Sequence, residues 1–507
     1  MNRRDFMAQL AFAGMGITFG GCGLPDKTVS FFNRSEDNPN ILIIVTDDQG
    51  YADLSAYAHA ADDVNTPNMD RIAKEGTLMS RAYVSCPVCS PSRAGWNTGL
   101  YQQRWNPQAG WNPGLPVDVK TIAEYMKEAG YETCKIGKND YGKNYHRTDV
   151  REHPLNHGYD EFLGFSSHAH DFFLLSEEIE KRTPDPHGHS AALGQLYHNN
   201  DKQSFEDGYT TEIFTDFAID YVKQRKDQDK PFFMTLSYNA VHHLIHEVPK
   251  KYLDRFGVKE IPNYDPGKDN KNRYNAYYTK YSKVESINSE DMRKYYLANL
   301  NCLDDNIGRL LDVLDQQNLT EETLVIFFAD NGGSPLTGAC NQPLRGSKYI
   351  MFEGGIRVPF MIRWPGRIPA GEVYDHRLST LDILPSCIKA SGRDIPDDAV
   401  LDGYDFLEAV SKGTESSTAG KPAFWQFKDH WAVIDGDWKL VKTTDYTSRK
   451  PTHLIRQGPK PDANRPALFN LKDDIAEQND LYSKNPEIVT RLTGLYQNWR
   501  KQCSQNS

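Results

Sequence analysis

Three short stretches constrain the fold more than anything else in the chain. Ile41-Leu42-Ile43-Ile44-Val45, Phe232-Phe233-Met234-Thr235-Leu236 and Leu324-Val325-Ile326-Phe327-Phe328 are apolar at nearly every consecutive position. A strand points successive side chains to opposite faces, so a run that is apolar on both is stable only when covered on both. The first of these runs therefore belongs at the centre of a sheet. Amphipathic stretches alternate with the runs, the pattern of a parallel sheet covered by helices. One helix is predicted after Thr66-Pro67, with Thr66 as cap, Pro67 in the first turn and Gly76 as stop. A second spans Thr121 to Ala129, ends at Gly130 and leads into a strand near Cys134 to Ile136. Phe214 to Val222 and Tyr295 to Leu314 also have helical spacing.

After about Ser411 the pattern changes to short strands, Ala423–Phe427, Trp431–Ile434, Trp438–Val441 and Ala467–Asn470, with a closing helix over about Pro486–Gln502. We expect a large domain over 36–410 and a small antiparallel sheet with a helix over 411–507. A chain of 507 residues is long enough for both. Ser176 to Asp207 and Tyr264 to Lys283 lack periodicity and read as long surface loops. With 58 Lys+Arg against 69 Asp+Glu the net charge is −11, which disfavours nucleic acid or an anionic membrane surface as partner. An anionic substrate then needs local positive charge.

Residues 1–22 read as an export signal: Arg3-Arg4, an apolar run from Met7 to Phe19, then Gly20-Gly21-Cys22. The arginine pair resembles a twin-arginine signal, and the small residues before Cys22 resemble a bacterial lipoprotein cleavage box. The expectation is a protein that is periplasmic or held at the outer membrane by a lipid on Cys22, with no other membrane contact. Seven cysteines remain: Cys86, Cys89, Cys134, Cys302, Cys340, Cys387 and Cys503. In an exported chain this odd number suggests one or two disulfides and a thiol with another task.

Chemistry gathers at the ends of the predicted strands. Asp47-Asp48 follows the first, His242 lies beyond the second, and Asp330-Asn331 follows the third. In open α/β sheets the carboxyl ends of the strands face the ligand. Asp47, Asp48, Asp330 and Asn331 offer hard oxygen donors suited to Ca²⁺, or less well Mg²⁺. Taken singly, each also suits a cap or a turn.

Cys89-Ser90-Pro91-Ser92-Arg93-Ala94-Gly95-Trp96-Asn97-Thr98-Gly99 carries the strongest signal. It resembles the signature of the formylglycine-dependent sulfatases, C-x-P-S-R followed by six residues ending in T-G. The resemblance extends over Ile43–Gly50, Thr66–Gly76, Phe328–Gly333, Gly346–Pro359, Asp382–Pro385 and Ala467–Leu471, with Glu477 and Leu481. It implies an alkaline-phosphatase-like α/β fold, with a mixed, mostly parallel sheet sandwiched by helices. It also implies that a maturation enzyme oxidises Cys89 to formylglycine, whose hydrate attacks sulfur with one oxygen and expels sulfate with the other. Cys86-Pro87-Val88-Cys89 alone would equally suit a redox pair or half of a zinc site, but no second such pair exists.

Carried over position by position, the resemblance implies a Ca²⁺ held by Asp47, Asp48, Asp330, Asn331 and the modified Cys89. Arg93 would stabilise the diol, Lys138 and Lys348 would hold sulfate oxygens, and His242 would protonate the leaving alcohol. The family commonly has G-K-x-H where this chain has Gly137-Lys138-Asn139-Asp140. Asp140 is therefore expected to replace the missing histidine as base, with His146 a lesser candidate, and Asp140→Ala to accumulate sulfated enzyme. Trp96, Trp105 and Trp111, with Arg104, His168 and His170, are expected to meet a sugar ring and its charges. The expected substrate is a sulfated oligosaccharide or polysaccharide, taken exo-wise from an algal polymer such as ulvan or carrageenan. A glycosaminoglycan is the near alternative. A phosphonate or phosphodiester ester and a glycan-binding lipoprotein without turnover are more distant ones.

Overall fold

The first apolar run forms β1 (Asn40–Thr46), a strand with every residue buried. It lies in a computed structural model that describes residues 38–505 except 143–146, 175–195, 204, 206–207, 226–227, 265–276, 278–279, 282–288, 335, 444–453, 455 and 457. The leader with Cys22, and His146, fall outside the described residues, as do most of 176–207 and 264–283.

In chain order the further strands are β2 (Thr77–Met79), β3 (Ala82–Tyr83), β4 (Glu132–Lys138), β5 (Glu161–Phe165), β6 (Leu196–His198), β7 (Asp201–Gln203), β8 (Phe232–Ser237) and β9 (Thr323–Ala329). They continue with β10 (Phe360–Arg363), β11 (Glu372–Tyr374), β12 (Leu378–Ser379), β13 (Ala423–Phe427), β14 (His430–Asp435), β15 (Trp438–Lys442) and β16 (Ala467–Asn470). Ten of them make one sheet in the order β11-β2-β10-β9-β1-β8-β4-β5-β6-β7. The central five, β9 to β5, are parallel, while β10 and the β6–β7 hairpin pair antiparallel on either side. Leu42 and Ile44 enter the core on one face of the sheet, and Ile41, Ile43 and Val45 enter the core on the other. The fold is the mixed, mostly parallel α/β arrangement expected, and β13–β16 form a separate four-stranded antiparallel sheet against helix Pro486–Gln505.

Four local expectations are corrected. The segment 176–207 is not all loop, because 196–203 close the β6–β7 hairpin onto the sheet edge. Tyr264 and Tyr277 are not at the surface; both are buried, with Tyr277 hydrogen-bonded to Glu247 and His246. Thr66 stands at the start of helix Pro67–Lys74 but does not cap it, because its hydroxyl is engaged by Ser55 and Asp70. Asp304, from helix Ser289–Gln316, accepts the free Asn68 and Met69 N–H groups instead. Finally, all seven cysteines after the leader are unpaired, buried thiols, so the expected disulfide is absent among the described residues. Among them, too, no helix is long and apolar enough to cross a membrane.

Candidate active site

Register places the chemistry. Val45 pairs with Ser237 and Thr46 with Ala329, so β1, β8 and β9 end level with one another. Asp47-Asp48, the loop to His242 and Asp330-Asn331 therefore emerge together. Next to β8, β4 ends on Lys138. Gly137 (φ +89) is required there, since a Cβ would stand 2.0 Å from the Ser237 carbonyl oxygen.

Facing this edge is helix Cys89–Thr98, with Cys89 its first residue. Trp96, fully buried with its ring edge-on to Phe328, packs the helix on the sheet, and Gly99 ends it in the left-handed conformation. Trp96 is thus a core residue and not a sugar contact.

Around Cys89 Sγ stand Lys348 Nζ at 3.1 Å and Asp47 Oδ1 at 3.7 Å. Lys348 also pairs with Asp48 Oδ1 (2.6 Å), and Lys138 with Asp47 Oδ2 (2.5 Å) and Asp140 Oδ2 (3.4 Å). Arg93 binds Asp330 Oδ2 through Nε (2.9 Å) and Nη2 (2.8 Å) and donates to Ser237 Oγ. Asn331 Nδ2 donates to Asp48 Oδ1, and His242 Nε2 lies 3.6 Å from Asp48 Oδ2. Every one of these groups is buried. Asp48 and Asp140 both hold positive φ (59° and 40°), a left-handed backbone state uncommon for non-glycine residues.

The site is rich in uncompensated oxygen. Asp48 Oδ2, Asn331 Oδ1 and both Asp140 oxygens are buried without a hydrogen-bond donor. Burial raises Asp48, and burial together with Asp47 pushes Asp330 up to about 7. Asp47 is also raised by burial, but Lys138, Arg93 and Lys348 outweigh this and hold it low. Carboxylates strained in this way, with free amide and carboxylate oxygens between them, fit a hard divalent cation. One ligand atom each from Asp47, Asp48, Cys89 and His242 lies within 4.8 Å of the others. Asp330 is less free than expected, since Oδ2 is taken by Arg93 and Oδ1 accepts the Asp48 N–H.

Burial drives the Cys89 thiol well up, although Lys138 and Lys348 oppose it. As a plain thiol it stays protonated at neutral pH and is not a thiolate nucleophile. Burial, then Lys348 and His243, hold His242 well below the ordinary imidazole value.

The substrate candidates divide. His168 is close enough to weigh on the protonation of His242 and His243. His170 is buried against Phe165, with Nδ1 at the Asp171 carbonyl. Arg104 and Trp105 are not at this cluster. Arg104 forms a two-point ion pair with Asp402, and Arg104 and Trp105 line a groove with Thr98 and Leu401 at the far end of the Cys89 helix. At 1.5 Å per residue that end lies roughly 14 Å from Cys89.

Sequence reasoning missed the clamp on the Lys348 loop. Arg345 donates to the Glu477 and Pro459 carbonyls, while Glu353 is paired with Lys439 (2.8 Å), which also holds Glu477 (3.0 Å). The β15 lysine thus ties the small sheet to the loop that carries Lys348. Glu353 and Glu477 lie within the stretches that carry the family resemblance, but nothing in the sequence joined them to Lys439.

Residues 39–392 match the family described as Sulfatase. The chain belongs to the sulfatase family. Residues 347–502 of this sulfatase also match the family described as N-sulphoglucosamine sulphohydrolase, C-terminal. It is 29% identical over 496 residues to human N-acetylgalactosamine-6-sulfatase, covering 90% of this chain and 85% of the relative. With mouse Arylsulfatase J it shares 28% over 491 residues, 90% of this chain and 74% of the relative. The crystal structure of Ps i-CgsB in complex with k-i-k-neocarrahexaose superimposes with a TM-score of 0.75 at 28% identity, over 93% of this chain and 94% of that one. The sulfatase is accordingly a sulfuric ester hydrolase of alkaline-phosphatase-like fold. Sulfatases generally use a formylglycine and a divalent metal, and the acidic cluster beside Cys89 is suited to such an ion.

Proposed function

We propose that this sulfatase is an exported, lipid-anchored enzyme that removes sulfate from sulfated carbohydrate, exo-wise from oligosaccharides of an algal polymer of the carrageenan or ulvan type. The observation that carries the reading is the set of three buried cations, Arg93, Lys138 and Lys348, gathered with the acidic cluster around Cys89. The likeness to Ps i-CgsB, crystallised in complex with k-i-k-neocarrahexaose, supports the polymer. N-acetylgalactosamine-6-sulfatase at comparable identity favours a glycosaminoglycan as the second reading.

In this reading a maturation enzyme converts Cys89 to formylglycine, and Asp47, Asp48, Asp330 and Asn331 hold Ca²⁺. When present, the hydrated aldehyde supplies the oxygen that attacks sulfur, and the ion supplies positive charge to the sulfate oxygens. The remaining work belongs to side chains. Lys348 and Lys138 bind the sulfate oxygens and offset the charge that builds on them. Arg93, locked between Asp330 and Ser237, keeps the nucleophile's side of the pocket positive. His242 delivers a proton to the leaving alcohol oxygen. An arriving sulfate ester carries a negative charge that raises this imidazole from its depressed resting value. Asp140, with both oxygens lacking a donor and Lys138 at 3.4 Å, accepts the proton released at residue 89 as sulfate departs.

Free sulfate released from a panel of carrageenan, ulvan and chondroitin sulfate oligosaccharides, with protein co-expressed with a maturation enzyme, tests the proposal. Release from an algal oligosaccharide is the expected result. Release from chondroitin sulfate alone selects the second reading. Cleavage of a phosphodiester in preference to every sulfate ester overturns both.

A further inference from the structure

Of the eight tryptophans, Trp111 alone is exposed, at 40%. An indole left open to water beside a charged pocket invites a partner for its face. Three separate loops build its surroundings. Tyr349 follows Lys348 directly, and its ring centre lies 5.2 Å from that of Trp111. Phe427 stands edge-on to the indole, also at 5.2 Å. Lys428 places its ammonium 5.6 Å from the centres of both the Trp111 and Phe427 rings, and its side chain is exposed.

These loops are held in uncommon backbone states. Ala109 (φ 49°), Tyr349 (φ 75°) and Lys428 (φ 53°) are three of the eight described non-glycine residues with positive φ. Each such residue costs on the order of 1–3 kcal/mol, so three gathered around one exposed indole call for an explanation in function. The Lys428 N–H donates to the Ala109 carbonyl, which locks two of the loops together, and the Tyr349 N–H donates to Pro87. The platform also adjoins the nucleophile: Ser90 donates to the Trp111 carbonyl, and Lys348 reaches Cys89 on one side and the Tyr349 ring, 5.6 Å away, on the other. Trp111, Tyr349, Phe427 and Lys428 themselves take no part in the chemistry proposed above.

We infer that Trp111, Tyr349, Phe427 and Lys428 form a subsite beside the nucleophile that takes a pyranose ring of the substrate bearing a second anionic group. The ring's apolar C–H face lies on the indole, and the anion, sulfate or carboxylate, meets the Lys428 ammonium at the rim. A lysine there can leave the indole face for the anion because its stem is flexible and its head stays in water. The inference rests on the sulfated-carbohydrate reading and narrows it to substrates with more than one negative charge.

Binding separates this inference from that reading. The full chain carrying Cys89→Ala, which has no turnover, is titrated with sulfated carrageenan and chondroitin sulfate oligosaccharides while its tryptophan fluorescence is followed. Quenching that Trp111→Ala abolishes, with Kd raised about tenfold or more by Trp111→Ala and by Lys428→Gln, is the expected result. A stronger Lys428→Gln effect on carrageenan identifies the second anion as sulfate, and a stronger effect on chondroitin sulfate identifies it as a uronate carboxylate. Kd values within twofold of the parent for both variants, or no binding by the parent, overturn the subsite. Failure of the unsubstituted, matured enzyme to release sulfate overturns the functional reading instead.

Discussion

Replacing Lys439 by methionine removes an ammonium that lies 2.8 Å from Glu353 Oε1 and 3.0 Å from Glu477 Oε1, with all three side chains fully buried. At an effective dielectric near 20, each attraction is worth about 5–6 kcal/mol before desolvation, and relief of the lysine's own desolvation returns several kcal/mol. Breaking a buried pair of this kind costs about 3–5 kcal/mol net. The cost depends on pH through Glu477. Burial raises its carboxyl, Lys439 lowers it, Glu353 raises it again, and the result is about 7. A carboxyl raised above its ordinary value keeps a proton that the unfolded chain gives up. Its stabilising contribution is complete below the unfolded value and lost as pH climbs to about 7. Without Lys439 the carboxyl rises further, so the loss continues above pH 7 by about 1.4 kcal/mol per pH unit. Glu353 behaves oppositely: burial raises it, but Lys439 and Arg357 hold it low, and its share is forfeited at any pH where it is ionised. Tyr83 still donates to Glu353, and Arg345 still holds the Glu477 carbonyl, so the loop keeps its place at low pH. Equilibrium urea unfolding, followed by tryptophan fluorescence, should show Lys439→Met less stable by about 3–5 kcal/mol at pH 8.5 and by at least 1 kcal/mol less than that at pH 5.5. Sulfatase activity should fall in step as the Lys348 loop loosens. A penalty below about 1 kcal/mol at pH 8.5, or one that is equal at the two values, refutes the electrostatic account of the clamp.

Asp48→Asn removes a charge and one of the free oxygens at the acidic cluster; we expect at least about tenfold weaker retention of Ca²⁺, measured by metal analysis after dialysis against graded chelator. Asp140→Asn should lower kcat on a sulfated oligosaccharide by about 10²–10⁴-fold with KM little changed, whereas a fall confined to KM would argue against a base at this position. Arg104→Met breaks the ion pair with Asp402 and should destabilise the fold by about 1.5–3 kcal/mol. It should also leave kcat/KM within about twofold, since the residue lies well away from Cys89.

Four central strands of the large sheet, β1, β4, β8 and β9, the main helices, the Cys89 motif and the acidic residues at strand ends were legible in the sequence because each is a local pattern. An apolar run, a helix stop or a C-x-P-S-R string is complete within a few residues. Asp47, Asp48, Asp330 and Asn331 could be grouped because parallel strands present their carboxyl ends to the same edge. What depended on register and packing could not be read. The three strained loops under Trp111 come from positions more than 300 residues apart at their extremes, and nothing in any one of them signals the others. Lys439 stands 86 residues from Glu353 and 38 from Glu477, and only the fold brings the three side chains together. Arg104 looked like a substrate cation from its nearness to Cys89 in sequence, yet the intervening helix carries it to the opposite end. By itself, then, the sequence determined the central strands and main helices and which residue types converge at the strand ends. Tertiary structure alone decided which charges are buried against which partners, because burial and pairing are properties of distance in space and not of separation along the chain.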